Sequence, residues 1–170
     1  IKCAPPRMET YYQLAMILGE QEKYMSAVMA FTEALKLSPD DIEIKYQLGV
    51  AFKELMIYNE AIIYFEDYIL NVKEDPIAYN LLGICYLELE DFPASLLVFK
   101  KANKLTPNDH RILFNIGKAY AGLKEDEDAA RKFRAALKIN PENPNIYFAL
   151  GRSYHRLNKK KKMYEILDIL

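Results

Sequence analysis

Apolar residues along this chain recur at intervals of three and four, as in Tyr79, Leu82, Tyr86 and Leu89. That spacing lines one face of a helix, so the chain is expected to be built from amphipathic helices. Prolines punctuate the pattern. Asp75-Pro76 and Asn143-Pro144 each read as an N-cap followed by proline in the first helical turn. Small residues among the larger ones, such as Gly83 and Ala102, are expected to let helix axes approach closely.

The pattern also repeats on a longer scale. Pro107 and Pro141 lie 34 positions apart in similar settings, and two steps back from Pro107 stands Pro39. Gly49, Gly83, Gly117 and Gly151 keep the same step, as do Phe31, Phe65, Phe99 and Phe133. A fixed period of this length is the signature of a repeat architecture. A single helical hairpin has too little apolar area to be stable alone, whereas stacked hairpins bury a continuous core.

The quoted residues resemble the tetratricopeptide repeat family, whose pattern is an aromatic, Leu-Gly, Tyr, then Ala, Phe, Ala and a closing Pro. Five units can be laid down after a leader of residues 1–7, at 8–41, 42–75, 76–109, 110–143 and an incomplete 144–170. The third unit carries Tyr79, Leu82, Gly83, Tyr86, Phe99, Ala102 and Pro107, and the fourth Ile116, Gly117, Tyr120, Ala129, Phe133, Ala136 and Pro141. Tyr68 and Lys73 depart from the pattern in the second unit, Ser95 in the third and Met163 in the fifth. The resemblance implies an all-α fold, a right-handed superhelical solenoid of antiparallel helix hairpins. It also implies a protein–protein interaction module without enzymatic activity or cofactor, binding a peptide or helical segment on its concave face.

In the family the first helix of every hairpin lines that face. The positions expected there are Glu43 and Tyr46 in the second unit and Asn80, Ile84 and Leu87 in the third. The fourth unit contributes Arg111, Phe114, Asn115 and Lys118, and the fifth Phe148, Arg152 and Arg156. Apolar side chains left on a solvated face are a candidate interaction surface. The partner is expected to set apolar residues against Tyr46, Ile84, Leu87 and Phe114, and acidic ones against Lys118, Arg152 and Arg156. A family variant clamps the acidic tails of chaperones with Lys, Asn and Arg. Here Asn115 matches one Asn, but Asn80, Ile84, Asn145 and Ala149 stand where the other clamp residues are wanted, so that partner is not expected.

Charge refines the picture. The net charge is -1, unlike the basic balance of a nucleic-acid binder. Yet residues 1–85 carry seven Lys and Arg against thirteen Asp and Glu, and residues 86–170 sixteen against eleven. An acidic front and a basic back suit head-to-tail self-association, an alternative reading in which the protein is a structural scaffold. Met163, Ile166, Leu167 and Leu170 would give the last helix an apolar stripe for such contacts. The lysines Lys159 to Lys162 read as a solvated turn, and the acidic run Glu125 to Asp128 as a favourable helix start.

Other chemistry finds little support. No apolar run reaches the roughly 18 residues of a membrane span. His110 and His155 have no ligands at metal-binding spacing, and no phosphate-cradling loop or nucleophile elbow is present. Cys3 and Cys85 are not expected to pair, which favours a reducing, cytoplasmic setting. Because the chain begins at Ile1, it is expected to be a piece of a longer one. It would then remain open whether it serves as the recognition domain of a larger enzyme.

Overall fold

The structure is a computed structural model that describes residues 7–167. Cys3 and Leu170, named above, lie outside that range. The described residues form ten helices and no strand. They group into two compact units divided after Glu74.

The first unit holds two hairpins, α1 (Met8–Glu20) with α2 (Tyr24–Leu37) and α3 (Ile42–Glu54) with α4 (Tyr58–Asn71). Within it α2 also packs on α3. Ala15, Ala27, Phe31, Ala34, Ile44 and Leu48 make up the centre of its core. The second unit holds α5 (Pro76–Glu88) with α6 (Phe92–Leu105), α7 (His110–Gly122) with α8 (Asp126–Ile139), and α9 (Pro144–Arg156) with α10 (Lys160–Leu167). Here α6 packs on α7 and α8 on α9. The first helices also touch directly, α5 with α7 and α7 with α9, so they share one face of the unit.

Local chemistry explains where these helices begin. The side chains of Asp41, Asp75, Asp109 and Asn143 each accept a hydrogen bond from the backbone N–H two residues on, capping α3, α5, α7 and α9. Pro76 and Pro144 follow two of these caps, as the sequence predicts. The acidic run begins α8 as expected, with Asp126, Glu127 and Asp128 in its first turn.

The first helix of every hairpin ends in the same way. The backbone N–H groups of Lys23, Ile57, Asp91, Glu125 and Lys159 each reach the carbonyl five residues back, all at 2.9 Å. The residue before each of them, Glu22, Met56, Glu90, Lys124 or Asn158, adopts positive φ. This is the Schellman stop, which satisfies carbonyls that the helix end leaves bare.

Hairpin closure depends on glycine meeting phenylalanine. A Cβ on Gly49 would lie 2.9 Å from the Phe65 ring, one on Gly83 2.5 Å from Phe99, and one on Gly117 2.4 Å from Phe133. The two periodic residue types noted in the sequence are therefore the two sides of one contact.

Candidate protein-binding cleft

The shared face of α5, α7 and α9 carries a cleft of about 530 Å3 within the second unit. Its lining includes six residues expected from the sequence: Leu87, Phe114, Lys118, Phe148, Arg152 and Arg156. They lie together because Phe114 and Phe148 are one repeat apart, and each has a cation one turn further along its helix. Lys118 sits over the Phe114 ring at 5.6 Å, and Arg152 over the Phe148 ring at 6.0 Å. Two aromatic–cation pairs thus stand side by side on adjacent hairpins. Phe114 is half-buried against Phe133, with ring centroids 5.6 Å apart. Phe148 is 60% exposed.

The three cations differ in their commitments. Arg156 donates to the Ala121 carbonyl at 3.1 Å and to the buried Asp126 carboxylate at 3.3 Å, so it ties α9 to the start of α8. Lys118 and Arg152 form no ion pair among the described residues. Burial pushes the Lys118 amine below the usual lysine range, against a smaller opposing pull from Glu88. An amine that has lost hydration without gaining a carboxylate partner has much to gain from an arriving anion.

The remaining predicted positions are placed elsewhere. Asn115 and Leu87, expected to face away from the core, are both buried. Asn115 donates to the Asn80 side-chain oxygen at 3.0 Å, linking α7 to α5. It is buried because first helices in direct contact close over whatever polar group lies between them. Leu87 still borders the cleft, with little of its surface open. Ile84 is half-buried and does not line the cleft. Arg111 is turned back to its own cap residue, donating to Asp109 at 2.7 Å. In the first unit, Tyr46 packs on Phe65 and Tyr68 with ring centroids 5.9 Å and 4.8 Å away. Glu43 is exposed and accepts from Gln47 at 2.9 Å.

Phe92 is a lining residue that sequence reasoning missed. It belongs to the start of α6, a second helix, and its ring occupies space that Gly122 leaves open; a Cβ there would lie 2.3 Å from it. A signal was present. The positions equivalent to Gly122 in the other hairpins are Glu20, Glu54, Glu88 and Arg156, so a glycine there breaks the chain's own pattern. Among the described residues no cluster of His, Cys, Asp and Glu could hold a metal. No helix there is long and apolar enough to cross a membrane.

Comparison with known proteins agrees with this architecture. Models described as tetratricopeptide repeat match residues 9–41 and 58–110, and one described as TPR repeat matches 123–158. No curated protein matches the sequence. Among solved structures, a crystal structure of MamA protein is 17% identical with a TM-score of 0.88, covering 95% of this chain and 88% of its own. MamA 41-end from Desulfovibrio magneticus RS-1 is 21% identical with a TM-score of 0.91, covering 96% and 93%. Such identities establish likeness of fold. With the repeat models spread along most of its length and the same fold in these structures, the chain belongs to the tetratricopeptide repeat family.

Proposed function

We propose that the protein is a non-catalytic interaction module whose second unit binds a partner segment carrying acidic and apolar residues together. The observation that carries this reading is the pair of aromatic–cation rungs, Phe114 with Lys118 and Phe148 with Arg152, at one cleft. The rings offer apolar contact, and Phe148 leaves most of its surface in water until something covers it. Neither cation forms an ion pair among the described residues, although Glu88 in the same lining attracts Lys118, so an acidic side chain would add attraction without breaking an existing ion pair. Arg156 acts here as a positioning residue, since its guanidinium already holds α9 to α8. Arg111, once released from Asp109, would serve as a secondary contact.

The test is fluorescence anisotropy with a labelled peptide of about a dozen residues alternating Glu and Leu. Reversing both cations, Lys118→Glu with Arg152→Glu, should weaken binding tenfold or more, roughly the scale for charges lost at a partly desolvated interface. Phe148→Ala should also weaken it, while Lys104→Glu, on an exposed position of α6 outside the cleft, should not. Affinity unchanged by the double reversal would refute the assignment.

A further inference from the structure

The first unit carries a cleft of its own, about 300 Å3, between α1 and α3. The buried residues Ala15, Ala27, Phe31 and Ala51 line its depth. Half-buried Met16 and Val50 also line it, with the exposed carboxylates Glu20 and Glu54 at its margin. Both walls are described helices, so the cleft does not depend on what precedes α1. In the second unit α5 lies against α7, and the cleft there is open nonetheless.

The two clefts use equivalent positions with opposite chemistry. Met16 and Val50 stand three repeats before Lys118 and Arg152, and Phe31 three before Phe133. Glu20 and Glu54 stand in the same relation to Gly122 and Arg156. Where the second unit presents cations, the first therefore presents an apolar pair, and two carboxylates replace a glycine and an arginine.

The helix ends add to this polarity. Glu20 is the last residue of α1 and Glu54 the last of α3. The C-terminal end of a helix is already partly negative, so a carboxylate placed there favours an incoming cation. Glu54 is paired with its neighbour Lys53, whereas Glu20 forms no ion pair among the described residues. Space is left beside it: Gly19 lines the cleft, and a Cβ built on it would meet nothing within 4 Å.

We propose that the first unit's cleft binds a basic side chain of a partner protein, an arginine or lysine flanked by apolar residues. The hydrocarbon stem lies along Met16, Val50 and Phe31, and the cationic end meets Glu20 and then Glu54. Long basic side chains suit such a cleft because their stems are apolar and only their tips need water or an anion. The inference rests on residues of the first unit alone, so it stands or falls separately from binding at the second.

Fluorescence anisotropy with a short labelled peptide alternating Arg and Leu tests this, beside a Gln–Leu peptide and the Glu–Leu peptide as comparisons. The Arg–Leu peptide should bind about tenfold or more tightly than the Gln–Leu peptide, an advantage that shrinks as salt rises. Glu20→Lys with Glu54→Lys should remove that advantage. Both substitutions put a cation where the helix dipole favours it, so the variant should remain helical by circular dichroism. Gly19→Leu should weaken Arg–Leu binding by filling the cleft, in a chain at least as stable as the parent, since leucine is the better helix former. Glu60→Lys, at the start of α4 and outside the cleft, should leave it unchanged. The double reversal should also leave affinity for the Glu–Leu peptide within about twofold, as expected for independent sites. Arg–Leu affinity unaffected by the double reversal would overturn the proposal. So would dependence on Gly19 without dependence on the carboxylates, which would assign the cleft to a purely apolar partner. An equal change in affinity for both charged peptides would mark a general charge effect and overturn it as well.

Discussion

Replacing Gly117 with alanine tests how the hairpins close. The added methyl would stand 2.4 Å from one carbon of the Phe133 ring and 2.6 Å from the next. Phe133 is 1% exposed, so it has no solvent-filled space to retreat into. Ordinary carbon contacts lie near 3.5–4 Å, so α7 and α8 must part by about 1 Å or the ring must leave its rotamer. Overpacking of this kind costs about 1–3 kcal/mol. The better helix propensity of alanine returns about 1 kcal/mol. A net loss of up to about 2 kcal/mol is expected, read as a lower urea midpoint at unchanged slope. Gly19 is the internal control, since nothing lies within 4 Å of its Cβ site; Gly19→Ala should stabilise by up to about 1 kcal/mol. The same substitution then has opposite signs at two helical positions. Adding Phe133→Leu to Gly117→Ala should recover part of the loss, since the two residues share one contact. If Gly117→Ala stabilises the protein as Gly19→Ala does, or the pair is strictly additive, the account of hairpin closure is wrong.

Three further outcomes are expected. Met56 holds positive φ with its side chain 74% exposed, so Met56→Gly should raise the melting temperature, the relief of about 1–2 kcal/mol of backbone strain exceeding the 0.5–1 kcal/mol or so of extra chain entropy. The Arg111 side chain hydrogen-bonded to Asp109 holds that carboxyl below its usual range. Its stabilisation should be complete above the unfolded value of about 3.9 and lost as pH falls through the lower folded value, so urea titrations in acid should show a shallower decline for Asp109→Asn. Because burial depresses the Lys118 amine, affinity for the acidic peptide should weaken with rising pH earlier than for a solvated lysine, and Lys118→Arg should shift that loss to higher pH.

The turns explain part of what the sequence concealed. Glycine or asparagine ordinarily signals a residue of positive φ after a helix, and only Asn158 among the five hairpin turns provides that signal. Glu22, Met56, Glu90 and Lys124 are held there by the hydrogen bonds of the Schellman stop and by packing of the hairpin, which residue type does not reveal. The candidate site divides similarly. Phe114, Lys118, Phe148 and Arg152 were legible because helical spacing fixes which residues share a face. Asn115 was misread as open because spacing gives a direction around the helix but no distance to the neighbouring helix. That neighbour carries Asn80, 3.0 Å away.

What the sequence determined by itself is the helix hairpin and its recurrence: apolar spacing, the aspartate and asparagine caps, and the glycine and phenylalanine that meet at closure. These are contacts within one hairpin or at its ends, where chain connectivity leaves few alternatives. The tertiary structure decided which members of a face remain in water and which cation is already committed. Each of these depends on a side chain about one repeat or more away, reached only when helices pack.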